Sequence, residues 1–252
     1  MRPVLFDALS LQARMEGEQP GRLSAPGGFF EALRAGGFAP RIDPLDALEG
    51  VVVLPTRYAA PYPFELVQRL VAFVQAGGGL ILMSNHGPFR WDAPDSNATR
   101  FDASVASAFG VAFDPVAARR ADKELLSVEV SGVLAGDPSW PAAPMRSGST
   151  VTHAVSNNCS GVFPSPVASP IGLLPEGLEV IATGDPPRAG LWWGCTIEGG
   201  PAGAGRVVVV ADSGWCCRGR DENPRYGQIA EGDNVQLALN MVTWVSGARR
   251  SA

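Results

Sequence analysis

The sequence predicts a three-layer α/β sandwich, in which helices cover both faces of a mostly parallel β-sheet. Three observations support this fold class. Apolar runs of strand length alternate with amphipathic segments of helix length up to residue 110. A run of valines near the C-terminus leads to a closing amphipathic helix. Between these parts, residues 111–201 hold short alternating stretches broken by Pro and Gly, which indicate an inserted antiparallel β region. We expect one domain over residues 1–252.

The N-terminal part is predicted to begin with strand, helix and strand. Phe29, Phe30 and Leu33 share one helical face, and two glycines follow as a stop signal. Because strands and helices alternate here, we expect parallel pairing with right-handed crossovers. The predicted strands are residues 3–8, 38–42 and 51–54, and the helix is residues 26–37.

The clearest helix is predicted over residues 63–76. A proline opens it, Gly77 ends it, and Val67, Leu70 and Val74 lie on one apolar stripe. The apolar run of residues 80–83 follows and is typical of a strand buried on both faces. Further along the chain we predict a helix at 97–109, short strands at 125–130, 151–155, 178–183 and 191–197, a buried strand at 206–211 and a closing helix at 233–245.

Composition excludes some functions. A net charge of −5 and a pI near 5.1 argue against a nucleic-acid surface, which needs clustered Lys and Arg. No apolar run is long enough for a membrane span, and the first residues do not fit a signal peptide. We therefore expect a soluble cytoplasmic protein whose four cysteines are thiols rather than disulfides. The sequence identifies no cofactor and leaves a homo-oligomer open.

Several polar residues follow the predicted parallel strands, where ligands bind in open α/β sheets. Asp7 and Asp212 end two of these strands. They are candidates for an acid/base pair or for ligand-binding groups, and the alternative is that each caps the turn that follows it. Arg57 and Tyr58 follow a third strand. Arg57 suits a carboxylate or phosphate ligand, with an ordinary surface arginine as the alternative.

Asn85 and His86 follow the strand at 80–83, and His86 is one of two histidines in the chain. It is a candidate general base, or else a loop histidine that bonds the backbone. The other histidine, His153, is placed in a predicted edge strand, where it completes a site or has a structural role. With Asp212 and a cysteine, the two histidines would reach the ligand count of a zinc site. No spacing requires this, so no metal is predicted.

Cys216 and Cys217 lie just past the last parallel strand, and Trp215 and Arg218 flank them. Adjacent cysteines lack the spacing of zinc ligands. One of them is a candidate nucleophile, because a nearby arginine favours the thiolate. The alternative is that both are small buried apolar residues. The loop that follows has the length of a functional lid or partner surface.

Four segments resemble the class I glutamine amidotransferase-like superfamily, in particular its divergent branch of ThuA-like and intraflagellar-transport accessory proteins. They are residues 4–7, 64–79, 152–155, and 205–213 together with 233–244. The resemblance implies a flavodoxin-like sheet. Active members carry a cysteine at the elbow after the fourth strand, where this chain has Ser84, Asn85 and His86. It also lacks a His-x-Glu pair at His153. The resemblance therefore implies no Cys-His-Glu glutaminase.

Two functions remain. The first is binding of a small polar ligand or a partner protein at the strand-end crevice, meaning the space outside the carboxyl ends of the parallel strands. The second is a hydrolase or lyase acting on a sugar-like or amide substrate. In it, His86 would be the base, Asp7 or Asp212 an acid or orienting group, and Cys216 or Cys217 the nucleophile. Ligand contacts are expected from Asp7, Arg57, Tyr58, Asn85, His153, Trp215 and Arg218.

Overall fold

The structure is a computed structural model, and it confirms the predicted α/β class. It describes residues 3–9, 27–57, 61–84, 98–113, 154–159, 171–173, 179–183, 192–210, 213–216, 229–230 and 232–247. The predicted strand at 125–130 lies outside these residues.

The helices and the strands of the parallel half follow the predicted order, and two short strands, Ala112–Phe113 and Ile171–Leu173, are present that the sequence did not predict. The helices are α1 (Gly27–Ala35), α2 (Phe64–Gln75), α3 (Ala98–Ala108) and α4 (Asn234–Val245). The strands are β1 (Pro3–Asp7), β2 (Ala39–Asp43), β3 (Val51–Leu54), β4 (Gly79–Met83), β5 (Ala112–Phe113), β6 (Ile171–Leu173), β7 (Glu179–Thr183), β8 (Trp192–Glu198) and β9 (Arg206–Val210).

The strands of the described residues form one mixed sheet in the order β2-β1-β3-β4-β9-β8-β6-β5, and β7 also pairs with β8. The first five strands in this order, from β2 to β9, are parallel to one another. The β5–β6, β6–β8, β7–β8 and β8–β9 pairs are antiparallel. The parallel half therefore brings five strand carboxyl ends to one edge, and the inserted region extends the other half.

The helices cover both faces of the sheet. On one face α1 packs against α4, and on the other α2 packs against α3. The direction of the crossovers explains this arrangement. Helix α1 connects β1 to β2 at one side of the sheet order, whereas α2 connects β3 to β4 in the opposite direction. Right-handed crossovers in opposite directions place their helices on opposite faces. All residues of β3 and β4 are buried, as expected for strands covered on both faces.

Helix α2 begins and ends as its sequence predicts. Pro63 is its N-cap and Ala76 its C-cap. Gly77 follows with a φ of 104°, a left-handed conformation that favours glycine. The Gly78 amide then donates to the carbonyl of Phe73 over 3.0 Å. This ending turns the chain sharply into β4.

One predicted strand is wrong in its described part. Ala154–Ser156 forms a short 3-10 helix instead of the end of the strand at 151–155. A side chain from α4 holds this segment, since Asn240 Nδ2 donates to the carbonyls of Val155 over 3.0 Å and Asn157 over 2.7 Å. The carbonyls of this segment thus bond to the Asn240 side chain instead of to a neighbouring strand. The local alternation of apolar and polar residues does not indicate this contact.

Helix α2 offers a matched test of the core. Leu70 is 0% exposed, whereas Phe64 on the same helix is 69% exposed. Leu70→Ala should lower the free energy of unfolding by about 2–5 kcal/mol, because it leaves a cavity in the core. Phe64→Ala should change it by only about 0.5 kcal/mol, as for most surface sites. Urea denaturation measures both values, and equal losses would contradict this packing.

Candidate functional site

Five polar residues gather at the carboxyl ends of β1, β3 and β4. Asp7 is the last residue of β1, and Ser84 directly follows β4. Thr56 and Arg57 lie between β3 and α2, and Asp102 projects from α3. All five are buried, with at most 4% exposure. We call them the strand-end cluster. Buried polar groups at this edge need specific partners, and the contacts show how they are satisfied.

An ion pair joins Asp7 to Arg57. Arg57 Nε donates to Asp7 Oδ2 over 2.9 Å, and Arg57 Nη2 lies 2.8 Å from the same oxygen. The other carboxylate oxygen, Oδ1, accepts the Leu9 amide over 3.2 Å. The Leu9 contact fits the predicted capping of the turn after the strand, whereas the acid/base and ligand-binding roles of Asp7 stay predictions. Its polar partner is Arg57 of this chain.

The guanidinium of Arg57 also stacks on an aromatic ring. Its Cζ lies 4.0 Å from the ring centroid of Tyr62, at the entrance to α2. Such a cation–π contact is strongest when water is excluded, and Tyr62 is 4% exposed. The predicted role of Arg57 as a clamp for an external carboxylate stays a prediction. In the structure the guanidinium already binds a carboxylate and a ring.

Asp102 is the group that the sequence analysis missed. Thr56 Oγ1 lies 2.7 Å from Asp102 Oδ2, and the Arg57 amide donates to Oδ1 over 3.5 Å. One signal was available, because Asp102 lies between Phe101 and Val105 on the buried face of a predicted amphipathic helix. An acid on an apolar stripe must find polar partners, and here they come from the end of β3.

Burial raises the pKa of Asp102 from an ordinary value of 3.8 to about 8. The hydroxyls of Thr56 and Ser84, the Arg57 amide and the Arg57 charge all act in the opposite direction, but less strongly. The loss of water thus outweighs the hydrogen bonds. Burial in the folded protein thus favours the un-ionised form of Asp102.

Ser84 stands at the start of the elbow after β4. Its amide donates to the carbonyl of Val210 over 2.8 Å, which extends the pairing between β4 and β9. Its hydroxyl is close enough to Asp102 to lower the pKa of that acid. However, Ser84 Oγ makes no hydrogen bond of normal geometry with any described residue. The elbow therefore begins with a fixed backbone and a buried hydroxyl that faces Asp102.

The thiol of Cys216 lies on the other face of the sheet. Its Sγ is 3.6 Å from Met83 Sδ and donates to the Ser213 carbonyl, 3.2 Å away. Successive side chains of a strand point to opposite faces, so Met83 points to Cys216 and Ser84 to Asp102. The structure therefore does not bring Cys216 together with Asp7, which lies with Arg57 on the Asp102 side.

Trp215 and Cys216 are packed into the layer of α1 and α4. Trp215 is 0% exposed, and its ring centroid lies 5.8 Å from that of Phe29. Its carbonyl accepts Asn234 Nδ2 over 3.2 Å. The burial and the contacts of Cys216 fit the structural alternative that the sequence left open for it. The ligand role predicted for Trp215 and the catalytic role predicted for Cys216 stay predictions.

The remaining predicted site residues lie outside the described residues. They are Tyr58, Asn85, His86, His153, Asp212, Cys217 and Arg218. Their roles stay predictions as well. Within the described ranges, no group of three or more His, Cys, Asp and Glu side chains is placed to hold a metal ion. No helix in the described part of the chain is long and apolar enough to cross a membrane.

Comparisons with known proteins agree on the fold. No protein-family model matches the sequence, and no curated protein matches it. Among solved structures, the chain is similar to the mmIFT52 N-terminal domain, with a TM-score of 0.62, 10% identity and coverage of 99% of this chain and 100% of that one. It is also similar to a putative ThuA-like protein from Parabacteroides merdae, with a TM-score of 0.53, 12% identity and coverage of 99% and 91%.

The chain has a ThuA-like fold. A third similar structure is a cold-adapted β-galactosidase from Rahnella sp. R3, with a TM-score of 0.54 and 16% identity. The match covers 97% of this chain but only 30% of the β-galactosidase. At these identities the likenesses concern the fold alone. The chemistry at the strand ends has to be argued from this chain's own residues.

The buried ion pair gives a second prediction. Asp7→Asn leaves the Arg57 guanidinium buried without its counter-charge, and should lower the free energy of unfolding by about 3–5 kcal/mol. The control is Glu198→Gln, which breaks the partly exposed pair of Glu198 and Arg206 and should cost about 0–1 kcal/mol.

A double-mutant cycle completes this test. Asp7→Asn combined with Arg57→Met should cost less than the sum of the two single changes, because neither charge is then left alone. Urea denaturation provides all four values. A loss from Asp7→Asn no larger than that from Glu198→Gln would contradict the buried pair.

The raised pKa of Asp102 predicts that the free energy of unfolding depends on pH. Its pKa is higher in the folded protein than the ordinary 3.8, so the folded state binds the proton more tightly. The stabilisation that the proton on Asp102 gives the folded state is complete below about pH 4, declines as the pH rises, and is lost above about pH 8.

The measurement is the free energy of unfolding of wild type minus that of Asp102→Asn. This difference should fall between pH 5 and 8 with a slope of up to about 1.4 kcal/mol per pH unit and then level off. Asp46→Asn, which removes an exposed acid, is the control for a lost carboxyl. A difference that stays constant from pH 5 to 9 would show that Asp102 is ionised in the folded protein.

Proposed function

We propose that this protein is a non-glutaminase member of the amidotransferase-like superfamily, from the divergent ThuA-like and intraflagellar-transport accessory-like branch without the elbow cysteine. In this proposal, one domain binds a small polar ligand or a partner protein at the strand-end crevice. The single observation that carries the proposal is the strand-end cluster, which places buried polar groups at the carboxyl ends of three adjacent parallel strands. Ligands of open α/β sheets bind at this edge.

The cluster suits binding because it is assembled without a ligand. Asp7 and Arg57 fix each other, and Asp102 fixes the backbone that carries Arg57. Side chains that are already held in place lose little entropy when a ligand arrives beside them.

The described thiols argue against glutaminase chemistry. Cys159, Cys195 and Cys216 are all buried. Burial raises the pKa of Cys195 to about 12, so its reactive thiolate is strongly disfavoured. The Cys216 thiol donates to a backbone carbonyl on the far face of the sheet. No described cysteine therefore stands at the elbow, where a nucleophile is needed.

Apolar side chains at the same edge support a partner protein as the alternative occupant. The large exposed apolar residues of the described ranges all lie towards the carboxyl ends of the strands: Leu9 follows β1, Ile42 is near the end of β2, Phe64 opens α2 and Val235 is in the first turn of α4. In this alternative a partner protein would cover these four side chains.

The second candidate is the hydrolase or lyase with His86 as base. One observation favours it, because an un-ionised acid such as Asp102 is the form in which a general acid works at neutral pH. Against it, Asp7 is ion-paired and Asp102 is 0% exposed. Neither of these two acids is therefore placed to act directly on a substrate.

Amide chemical shifts of the ¹⁵N-labelled full chain test the proposed site. The probes are D-galactose, acetamide and L-glutamine, each added alone at millimolar concentration. At least one should shift the amides of Leu9, Arg57 and Ser84 at the strand ends. The internal control is the amino edge of the sheet, where the amides of Gly50 and Gly79 should stay unchanged.

The same samples separate binding from catalysis. We expect no ammonia from L-glutamine above the rate without protein. His86→Ala should weaken any binding at the strand ends without affecting folding. Shifts confined to the amino edge, or glutamine hydrolysis that is lost in Cys217→Ala, would overturn the proposal.

A further inference from the structure

We propose that Asp102 is a positioning residue of the strand-end crevice. From α3 it holds the turn after β3, which carries Arg57, and it faces the hydroxyl of Ser84, where the elbow after β4 begins. One buried side chain thus ties two adjacent strand ends to the helix layer. This inference rests on the proposed function, because it concerns how the proposed binding crevice keeps its shape.

The two oxygen atoms of Asp102 contact consecutive residues of the turn after β3. Oδ2 lies 2.7 Å from Thr56 Oγ1, and Oδ1 accepts the Arg57 amide over 3.5 Å. The side chain of Asp102 is 0% exposed, so bulk water does not compete for either contact. Because both contacts start from one planar group, they fix the direction of the turn as well as its position.

Helix α3 gives this carboxyl group a rigid base. Phe101, Val105 and Ala106 of the same helix are at most 8% exposed, and α3 contacts both α2 and β4. An apolar side chain would fit this face of the helix at lower cost, since a buried polar group needs partners. Departures from an apolar core are expected where a residue serves a site. The partners of Asp102 at two strand ends supply such a reason.

The residue that depends most on this support is Arg57. Its guanidinium reaches Asp7 at the end of β1, and Nε donates to that carboxylate over 2.9 Å. The side chain starts from a backbone that Asp102 holds, so a loosened turn would move the guanidinium relative to Asp7. Asp102 therefore acts on the crevice through Arg57, without contact to a ligand of its own.

The positioning role requires polar contacts rather than a charge. A hydroxyl group both donates and accepts, so Thr56 can bond Asp102 whether or not the carboxyl group carries a proton. Asp102→Asn would keep Oδ1 for the Arg57 amide and offer Nδ2 to Thr56 Oγ1. Asp102→Leu, of similar size, would leave both groups without this partner. The two variants therefore separate positioning from the filling of space.

The first test uses the ¹⁵N-labelled full chain without a ligand. In Asp102→Leu the Arg57 amide should exchange with D₂O at least about tenfold faster than in the wild type, because it loses a buried partner. The Arg57 Nε–H signal should also move towards that of a free arginine. Asp102→Asn should resemble the wild type in both. The Gly79 amide, which donates to the Gly50 carbonyl over 3.1 Å, is the internal control for opening of the whole sheet.

The second test measures binding. The probe among D-galactose, acetamide and L-glutamine that shifts the strand-end amides of the wild type should bind at least about tenfold more weakly to Asp102→Leu. Its affinity for Asp102→Asn should be unchanged. If Asp102→Leu does not fold, Thr56→Val and Thr56→Ser replace the two variants, because the first removes the hydroxyl at nearly the same shape and the second keeps it.

Three results would overturn the inference. The first is an Arg57 amide and Nε–H signal that are the same in Asp102→Leu, or in Thr56→Val, as in the wild type. The second is an equal loss in the conservative variant, Asp102→Asn or Thr56→Ser. The third is a probe that binds the disruptive variant as tightly as the wild type. If no probe binds the wild type, the proposed function fails, and the two Arg57 signals still decide this inference.

Discussion

The organisation of the strand ends depends on the ion pair between Asp7 and Arg57. Both groups are removed from water, which costs several kcal/mol per ion, and only close geometry offsets such a cost. The 2.8 Å and 2.9 Å contacts meet that requirement. Arg57 can hold this position because the ring of Tyr62 covers it and Asp102 holds its backbone. The pair thus fixes the ends of β1 and β3 relative to each other.

The alternation of side chains along each strand divides the polar chemistry between two faces. Phe6 packs on Phe29 in the α1 layer, so Asp7 points to the opposite side, towards Arg57. At the end of β4, Met83 points to Cys216, and the following Ser84 points to Asp102. The result is a sulfur-rich apolar contact on one face and a polar cluster on the other. A nucleophile–acid pair of Cys216 and Asp7 would have to reach across the sheet, which is why we favour binding.

Much of the fold could be predicted from the sequence, because local patterns carry it. The apolar stripe and glycine stop of α2, and the buried runs of β3, β4 and β9, each follow from one segment and its neighbours. The site was harder to predict. The sequence predicts Asp7 and Arg57 as strand-end residues, yet their pairing across 50 residues has no local signal. Asp102 was missed because its role depends on the end of β3, and Ala154–Ser156 because its form depends on Asn240.

The central claim is that an ion pair and an un-ionised acid share the strand ends as an electrically neutral unit. Neutron diffraction from deuterated crystals grown near pH 6.5 tests it most directly, because it locates the exchangeable deuterium atoms. We predict a deuterium on the Asp102 carboxyl group, none on Asp7, and a fully deuterated Arg57 guanidinium directed at Asp7 Oδ2. A bare Asp102 carboxylate, or a deuterium on Asp7, would contradict the account.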